Sequence, residues 1–344
     1  MVQNPSNAPI NVRFNNEPKK SRFWLGFFIS IIIFLLIGGG IWVYSKYFAH
    51  EQSDQTADDN SENENISHSS RDNPNGPYYH SIYLAKSDDG LEWEKTDQLI
   101  FDHASVPGAV IKDNILYVYF VDVSEDEDQL SVGVSRDDGE TFKKEIVNIE
   151  GVKKYDAVDP NPILIDNKIY LFYLGDFMTM AESKDQTFTI YSAVSQDGVN
   201  FDHARAIYSA NKITTDPDVF ETQNDVRMLV SQEKDLTLAI EKTLNDEFIK
   251  DDDFSWNQGG VSDTIEIGDA YYTYYCQSGI SVATGADKGK LEFLQTVLEE
   301  DEGKIYCDPS VVELSDGSYL MFYKVQNISS QDKNNQPTDS SNQN

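Results

Sequence analysis

Cysteine is nearly absent from this 344-residue chain: Cys276 and Cys307 are the only two, too few for a disulfide framework. They could bridge each other outside the cytoplasm. Two buried free thiols remain the alternative, because cysteine is often buried and sequence gives no Cα separation. Positive charge is scarce too. Against 59 Asp and Glu there are 27 Lys and Arg, a net charge of -32. Such a field repels nucleic acid and anionic lipid, so no nucleic-acid partner is expected. The sequence has no metal-ligand spacing, nucleotide loop or nucleophile elbow, and no metal or cofactor is expected. The acidic runs 125–128 and 251–253 read as solvated loops rather than calcium sites. Long helical periods are missing from the region 78–326.

One long apolar run is present. Phe23 to Tyr44, FWLGFFISIIIFLLIGGGIWVY, contains 22 residues without a charge, enough to cross ~30 Å of hydrocarbon as a helix. Trp24, Trp42 and Tyr44 mark its ends, where amphipathic rings prefer the interface. Arg13, Lys19, Lys20 and Arg22 precede it, and Lys46 alone follows closely. The positive-inside rule then places 1–22 in the cytoplasm and everything after the span outside. The length of the run, and the lack of a small-x-small site after it, favour an uncleaved anchor in a cell membrane over a signal peptide. Residues 45–77 are rich in Ser, Asn, Asp and Glu and read as a disordered acidic tether, as does the tail 327–344.

Between them lies a repeat. Aromatic strands recur as LYVYFV (116–121), IYLFYL (169–174), VRMLVS (226–231), YYTYYC (271–276) and YLMFY (319–323), their starts 53, 57, 45 and 48 residues apart. Five units near 50 residues, each able to supply four strands, predict an all-β fold, a five-bladed β-propeller. The region starts with a third and fourth strand and ends with a first and second. Strands from both ends must therefore share one blade, which removes free sheet edges. The predicted blades are 104–150, 155–210, 213–257, 259–303, and 305–326 joined to 79–102.

A turn recurs as well: Ser135-Arg136-Asp137-Asp138-Gly139-Glu140-Thr141-Phe142, and in shorter form Ser87-Asp88-Asp89-Gly90-Leu91-Glu92-Trp93 and Ser195-Gln196-Asp197-Gly198-Val199-Asn200-Phe201. A degraded copy runs over 287–293. Its Asp can accept turn N–H groups, its Gly can take positive φ, and its ring can pack back on the blade. These turns resemble the Asp-box of sialidase-type propellers, a structural element in that family. Sialidases themselves grip a carboxylate with three arginines. Here Arg136, Arg205 and Arg227 are the arginines of the folded region, and none stands at an inner-strand start.

Aligning blades on their aromatic strands brings five inner-strand starts to one mouth of the channel. They contain Val106-Pro107, Asp159-Pro160, Asp216-Pro217, Val261-Ser262-Asp263 and Asp308-Pro309. Crowded carboxylates push one another's pKa values apart, which acid/base hydrolysis of a glycosidic bond needs. The competing reading of each Asp-Pro is structural, because Pro suits the first residue of a strand. The arrangement resembles the five-bladed glycoside hydrolases of the arabinanase, invertase and levansucrase type, family 43 among them, with three acids at inner-strand starts. Asp216-Pro217-Asp218-Val219-Phe220 is similar to the family-43 motif around the Asp that tunes the acid, and the resemblance carries that role to Asp216. Blade one offers Val106 where the family has its base, and the family's acid aligns near Val261. The resemblance carries over Asp216; with the acids at the other inner-strand starts, the catalytic candidates are Asp159, Asp216, Asp263 and Asp308, and the substrate-binding candidates are His103, near the same mouth, and Asp218. The expected activity is binding or hydrolysis of a glycan. The alternative is a non-catalytic surface propeller that binds glycan or protein.

Overall fold

The computed structural model describes residues 76–124, 128–176, 186–233, 235–241 and 247–328. The run 23–44 and most of the two segments read as disordered lie outside the described residues. Among the described residues, no helix is long and apolar enough to cross a membrane.

After a one-turn 3-10 helix at Pro77–Tyr79, the chain is a succession of strands: β1 (His80–Ser87), β2 (Glu94–Asp102), β3 (Ala104–Lys112), β4 (Ile115–Asp122), β5 (Gln129–Ser135), β6 (Lys143–Ile146) and β7 (Asn148–Ile149). Next come β8 (Val158–Ile165), β9 (Lys168–Gly175), β10 (Phe188–Ser195), β11 (Asn200–Ala210), β12 (Thr214–Glu221), β13 (Val226–Gln232), β14 (Asp235–Glu241) and β15 (Ile249–Lys250). The last are β16 (Gly260–Ile267), β17 (Ala270–Cys276), β18 (Gly279–Thr284), β19 (Glu292–Glu299), β20 (Lys304–Glu313) and β21 (Tyr319–Asn327). They form five sheets, antiparallel but for the β7–β11 pair, whose inner strands, β3, β8, β12, β16 and β20, contact one another in a closed cycle. The architecture is a five-bladed propeller. Blade five is built as β20-β21-β1-β2, with β1 pairing along its whole length with β21, from His80↔Gln326 to Ser87↔Tyr319.

The aromatic strands are second from the channel and are buried on both faces, so alternate residues feed two different cores. Tyr117 and Tyr119 of β4 pack toward blade two, while Leu116, Val118 and Phe120 pack toward blade five. Tyr319, Met321 and Tyr323 of β21 face blade four, and Leu320 and Phe322 face blade one. The five apolar clusters thus occupy the five joints between blades, one each. A fully buried ring such as Tyr119 or Phe322 contributes about 2–3 kcal/mol, and it does so only when its neighbouring blade is present.

The recurring turns staple those joints from outside. Ser195 Oγ donates to Asp197 Oδ1 and accepts the Gly198 N–H at 2.9 Å, while Asp197 Oδ1 accepts the N–H groups of Val199 and Asn200. Ser87–Asp89 repeats this scheme, and in Ser135–Asp137 the aspartate accepts from Thr141 instead. These bonds hold Asp89, Asp137 and Asp197 below the usual carboxylate range, Asp197 at about 2 although its partial burial acts in the other direction. The turn's ring also packs on the preceding blade, which the sequence does not show. Phe201 meets Tyr119, Phe142 meets Phe322 and Trp93 meets Tyr274. The hydroxyls of Tyr119 and Tyr274 also donate to the carbonyls of Gly198 and Gly90.

Three details differ from the sequence reading or complete it. Asn148 and Ile149 leave blade one and pair in parallel with Asn200 and Phe201 as a fifth strand of blade two, because Ile149 is buried in the joint between those blades. The degraded turn folds as a one-turn 3-10 helix, Ala286–Lys288. Gly285 stands there where the other copies have Ser, so no hydroxyl anchors the aspartate. Finally, Cys276 and Cys307 form a disulfide with Cα atoms 5.0 Å apart, tying the second strand of blade four to the inner strand of blade five.

Candidate functional site

Each inner strand carries the same irregularity. Its pairing register with the second strand slips between Ser105 and Gly108, Val158 and Asn161, Thr215 and Asp218, Gly260 and Ser262, and Cys307 and Ser310. These are β-bulges, which re-aim side chains. The bulge residue is left-handed in every blade: Val106 φ 52°, Asp159 φ 54°, Asp216 φ 51°, Val261 φ 52° and Asp308 φ 50°. Asp tolerates this conformation, whereas a β-branched Val is strained by about 1–3 kcal/mol. Pro follows in four blades and Ser262 in the other; Pro has no N–H to lose from the ladder. The five bulge residues converge on one mouth of the channel.

Two residues after each bulge, a second ring forms. Val219 N–H donates to Asn161 Oδ1 (2.9 Å), Thr264 N–H to Asp218 Oδ1 (2.9 Å), Val311 N–H to Asp263 Oδ2 (2.9 Å) and Ala109 N–H to Ser310 Oγ (2.9 Å). Each bond joins one blade to the next at an equivalent position. The fifth joint has neither partner: Gly108 offers no acceptor, and Pro162 offers no N–H. A Cβ on Gly108 would lie 2.1 Å from Pro160 O and 2.7 Å from Pro162 Cδ. At that joint, close backbone approach replaces the hydrogen bond.

The candidates from sequence divide between the two rings. Asp159, Asp216 and Asp308 are brought together at the mouth. Asp216 N–H approaches Asp159 Oδ2 at 3.4 Å, and Thr215 Oγ1 donates to Asp216 Oδ2 at 2.5 Å. Asp263 borders the mouth, but its carboxylate is engaged by Val311 N–H and weakly by Ser310 Oγ. Asp218 is buried and saturated, taking Thr264 N–H on one oxygen and the hydroxyls of Ser262 and Thr264 on the other. His103 does not line the mouth: its ring stacks on Tyr78 at 4.0 Å, and its Nδ1 lies 2.6 Å from the Tyr78 carbonyl.

Sequence reasoning missed Lys324. Its Nζ lies 2.7 Å from Asp308 Oδ2, and both side chains are largely buried. Its position follows the aromatic run of β21, in the column occupied by Val121, Leu174, Ser231 and Cys276 in the other blades. In two blades that column touches the next bulge, where Ser231 Oγ accepts Val261 N–H and Cys276 Sγ accepts Asp308 N–H, whereas Lys324 turns to the bulge of its own blade. A lone Lys in such a column was the available signal.

Burial pushes the Asp159 carboxyl well above its ordinary value, with the charges of Asp216 and Asp308 adding to it and Lys324 opposing. Burial and then Asp308 raise Asp216 to about 6, against the Thr215 hydrogen bond and Lys324. In the second ring, burial raises Asp218 to about 6 despite its three hydrogen bonds, and burial with the Asp218 charge raises Asp263. The mouth therefore holds carboxyls able to carry a proton near neutral pH beside a carboxylate in contact with an ammonium.

The cavity at the mouth measures about 20 Å³, room for about one water, whereas small-molecule sites run to several hundred. A sugar ring could lie over it but not within it. A larger groove of about 410 Å³ opens between blades five and one, lined by Leu99, Phe101, Phe142 and Lys144 among others. Its buried carboxylate, Asp122, is already occupied by Ser124, Ser131 and Lys144, so convergent, unspent acid groups place the candidate site at the mouth. Cys276, Cys307 and Asp308 also come within 4.8 Å of one another, but with both sulfurs bound to each other no metal-binding set remains there.

No family model and no curated protein matches the sequence. Solved structures do match. A thermostable family-43 glycoside hydrolase aligns with 66% of this chain and 89% of its own, at 13% identity and a TM-score of 0.53. A GH43_1 enzyme of Xanthomonas citri complexed with xylotriose aligns over 65% and 86%, at 14% identity and a TM-score of 0.47. An alpha-L-arabinofuranosidase of Podospora anserina in complex with cellotriose aligns over 72% and 98%, at 9% identity and a TM-score of 0.49. The first of these carries the likeness: the chain has the five-bladed propeller fold of family-43 glycoside hydrolases.

Proposed function

We propose that this protein is a membrane-anchored propeller displayed outside the cytoplasm, which binds a glycan over its carboxylate-lined mouth and hydrolyses a glycosidic bond there. The observation that carries this reading is the convergence of Asp159, Asp216 and Asp308 on equivalent bulges, with protonatable and ion-paired carboxyls side by side. Glycoside hydrolysis needs that pairing: a carboxylic acid protonates the leaving oxygen, while a carboxylate activates water or stabilises the positive charge developing on the sugar. Asp216, raised to about 6, suits the acid at mildly acidic pH. Asp308, against the Lys324 ammonium, suits the carboxylate. Asp159, on the strand next to Asp216, shares its proton. The likeness in fold to a family-43 glycoside hydrolase supports a sugar as ligand.

A second reading rests on specific observations. Val106 and Val261 hold two of the five bulge positions, and the cavity is small; both favour a propeller that binds glycan without cleaving it. A screen of aryl glycosides, arabinans and xylo-oligosaccharides with wild type and Asp216→Asn decides. Turnover that falls at least ~100-fold in the variant supports hydrolysis. Binding without turnover, lost in the variant, selects the second reading. Equal behaviour of the two proteins removes Asp216 from the site.

The anchor and its orientation rest on the apolar run 23–44 and the lysines and arginines before it. A reporter fused after residue 326 is expected to be active only outside the cytoplasm. Activity inside overturns the orientation.

A further inference from the structure

Three carboxylates around one small mouth cannot all be charged without a counter-charge, since like charges in a buried site repel. Asp159 (β8), Asp216 (β12) and Asp308 (β20) meet at the mouth, with Asp263 of β16 at its border, and none of the residues described as lining it is basic. The counter-charge comes from behind the inner strand. Lys324 on β21 is the cross-strand partner of Cys307 and reaches forward to Asp308, the residue after that cysteine, at 2.7 Å. The same bulge is fixed twice more: Cys307 is bonded to Cys276, and Asp308 N–H donates to Cys276 Sγ at 3.1 Å. Asp308 is thus held from three directions, whereas the Asp159 and Asp216 carboxyls are held by single contacts from neighbouring groups.

We propose that Lys324 is a positioning residue: it fixes the Asp308 carboxylate at the mouth and sets the charge that Asp159 and Asp216 experience, so that the proton of the site resides on those two. The role rests on the functional reading above, because it assigns which carboxyl donates and which stays charged during cleavage. Lys324 would touch no substrate. From behind the strand it contacts Asp308 and reaches Asp159 and Asp216 only by its field. The field it exerts opposes the upward displacement of Asp159 and Asp216, and Asp308 drives that displacement.

The test is a titration of the full chain in detergent micelles with aspartate carboxyls labelled by 13C, the Asp216 signal being assigned from its loss in Asp216→Asn. In wild type Asp216 is expected to titrate near 6. Lys324→Met is expected to raise that midpoint by roughly half a unit or more, and Lys324→Arg, which keeps the charge, to leave it near wild type. Lys324→Met could fail to fold with Asp308 left unpaired, so Asp308→Asn/Lys324→Met provides a near-isosteric neutral pair. With the repulsion of Asp308 gone as well, its Asp216 midpoint is expected at or below the wild-type value. A merely structural role would not produce that reversal of sign. If Lys324→Met leaves Asp216 unmoved, if Lys324→Arg shifts it equally, or if the double variant raises it, the proposal is overturned. Because the titration contains no sugar, failure of wild type to bind or cleave any glycan defeats the functional reading separately.

Discussion

On strand β12, Asp216 turns into the mouth and Asp218 turns into the joint with blade four. Both carboxyls are raised to about 6, and burial is the first cause in each. Their pKa values therefore do not separate a reactive group from a structural one. Their hydrogen bonds do. Asp218 is 1% exposed and uses both oxygens on three donors of the next blade. Asp216 accepts one hydroxyl, from the residue beside it. A carboxylate saturated by the fold has no lone pair aimed at a ligand, whereas an undersatisfied one at an opening does. The same division holds around the ring, with Asp159 and Asp308 on the mouth side and Asp263, Asn161 and Ser310 on the joint side.

Substitution should widen this contrast most. Asp218→Ala strips partners from Thr264 N–H and two buried hydroxyls, and is expected to cost about 3–5 kcal/mol, as the loss of one partner from a buried polar network does. Asp216→Asn removes a repelled charge and keeps the shape; stability is expected to stay level or rise by up to ~1 kcal/mol. Urea unfolding of both variants measures the difference. Similar losses in the two would mean that the mouth, like the joint, is a structural ring.

Much of the fold is legible in the sequence because each blade repeats a local pattern. The five aromatic strands show their spacing directly, and the position of the half-blades at the two ends shows the closure. The mouth is legible to the extent that Asp-Pro marks it. What the sequence hides is side-chain direction around the bulge. In an unbroken strand, Asp216 and Asp218 would share a face. The bulge sends one to the channel and the other to the neighbouring blade, and nothing in Asp-Pro-Asp announces it. The second ring is hidden for a further reason: its members are Asn, Asp, Asp, Ser and Gly, and chemical variety conceals one geometric role. Lys324 escapes notice because its partner, Asp308, lies 16 residues earlier, across a hairpin whose register the bulge has shifted.

A finer separation comes from pH. Asp159, Asp216, Asp218 and Asp263 have folded pKa values above those of the unfolded chain. The folded state then binds protons more readily than the unfolded state, and their contribution to stability is greatest below about 4 and is lost as pH rises, through about 6 for Asp216 and Asp218. The turn aspartates Asp89, Asp137 and Asp197 run the other way: their contribution is present above about 4 and is lost as pH falls below it, toward about 2 for Asp197. Unfolding free energy is therefore expected to decrease between pH 4 and pH 6.5 as the raised carboxyls ionise, and to decrease again in stronger acid. Asp216→Asn should flatten the first slope by more than one group's share, because the Asp216 charge also raises Asp159. The turn-dependent fall in strong acid should remain. Denaturant titrations at intervals across this range test both limbs. Stability that climbs from pH 4 to 6.5, in wild type and variant alike, would mean that these carboxyls are ionised at little cost and that the mouth holds no proton to donate.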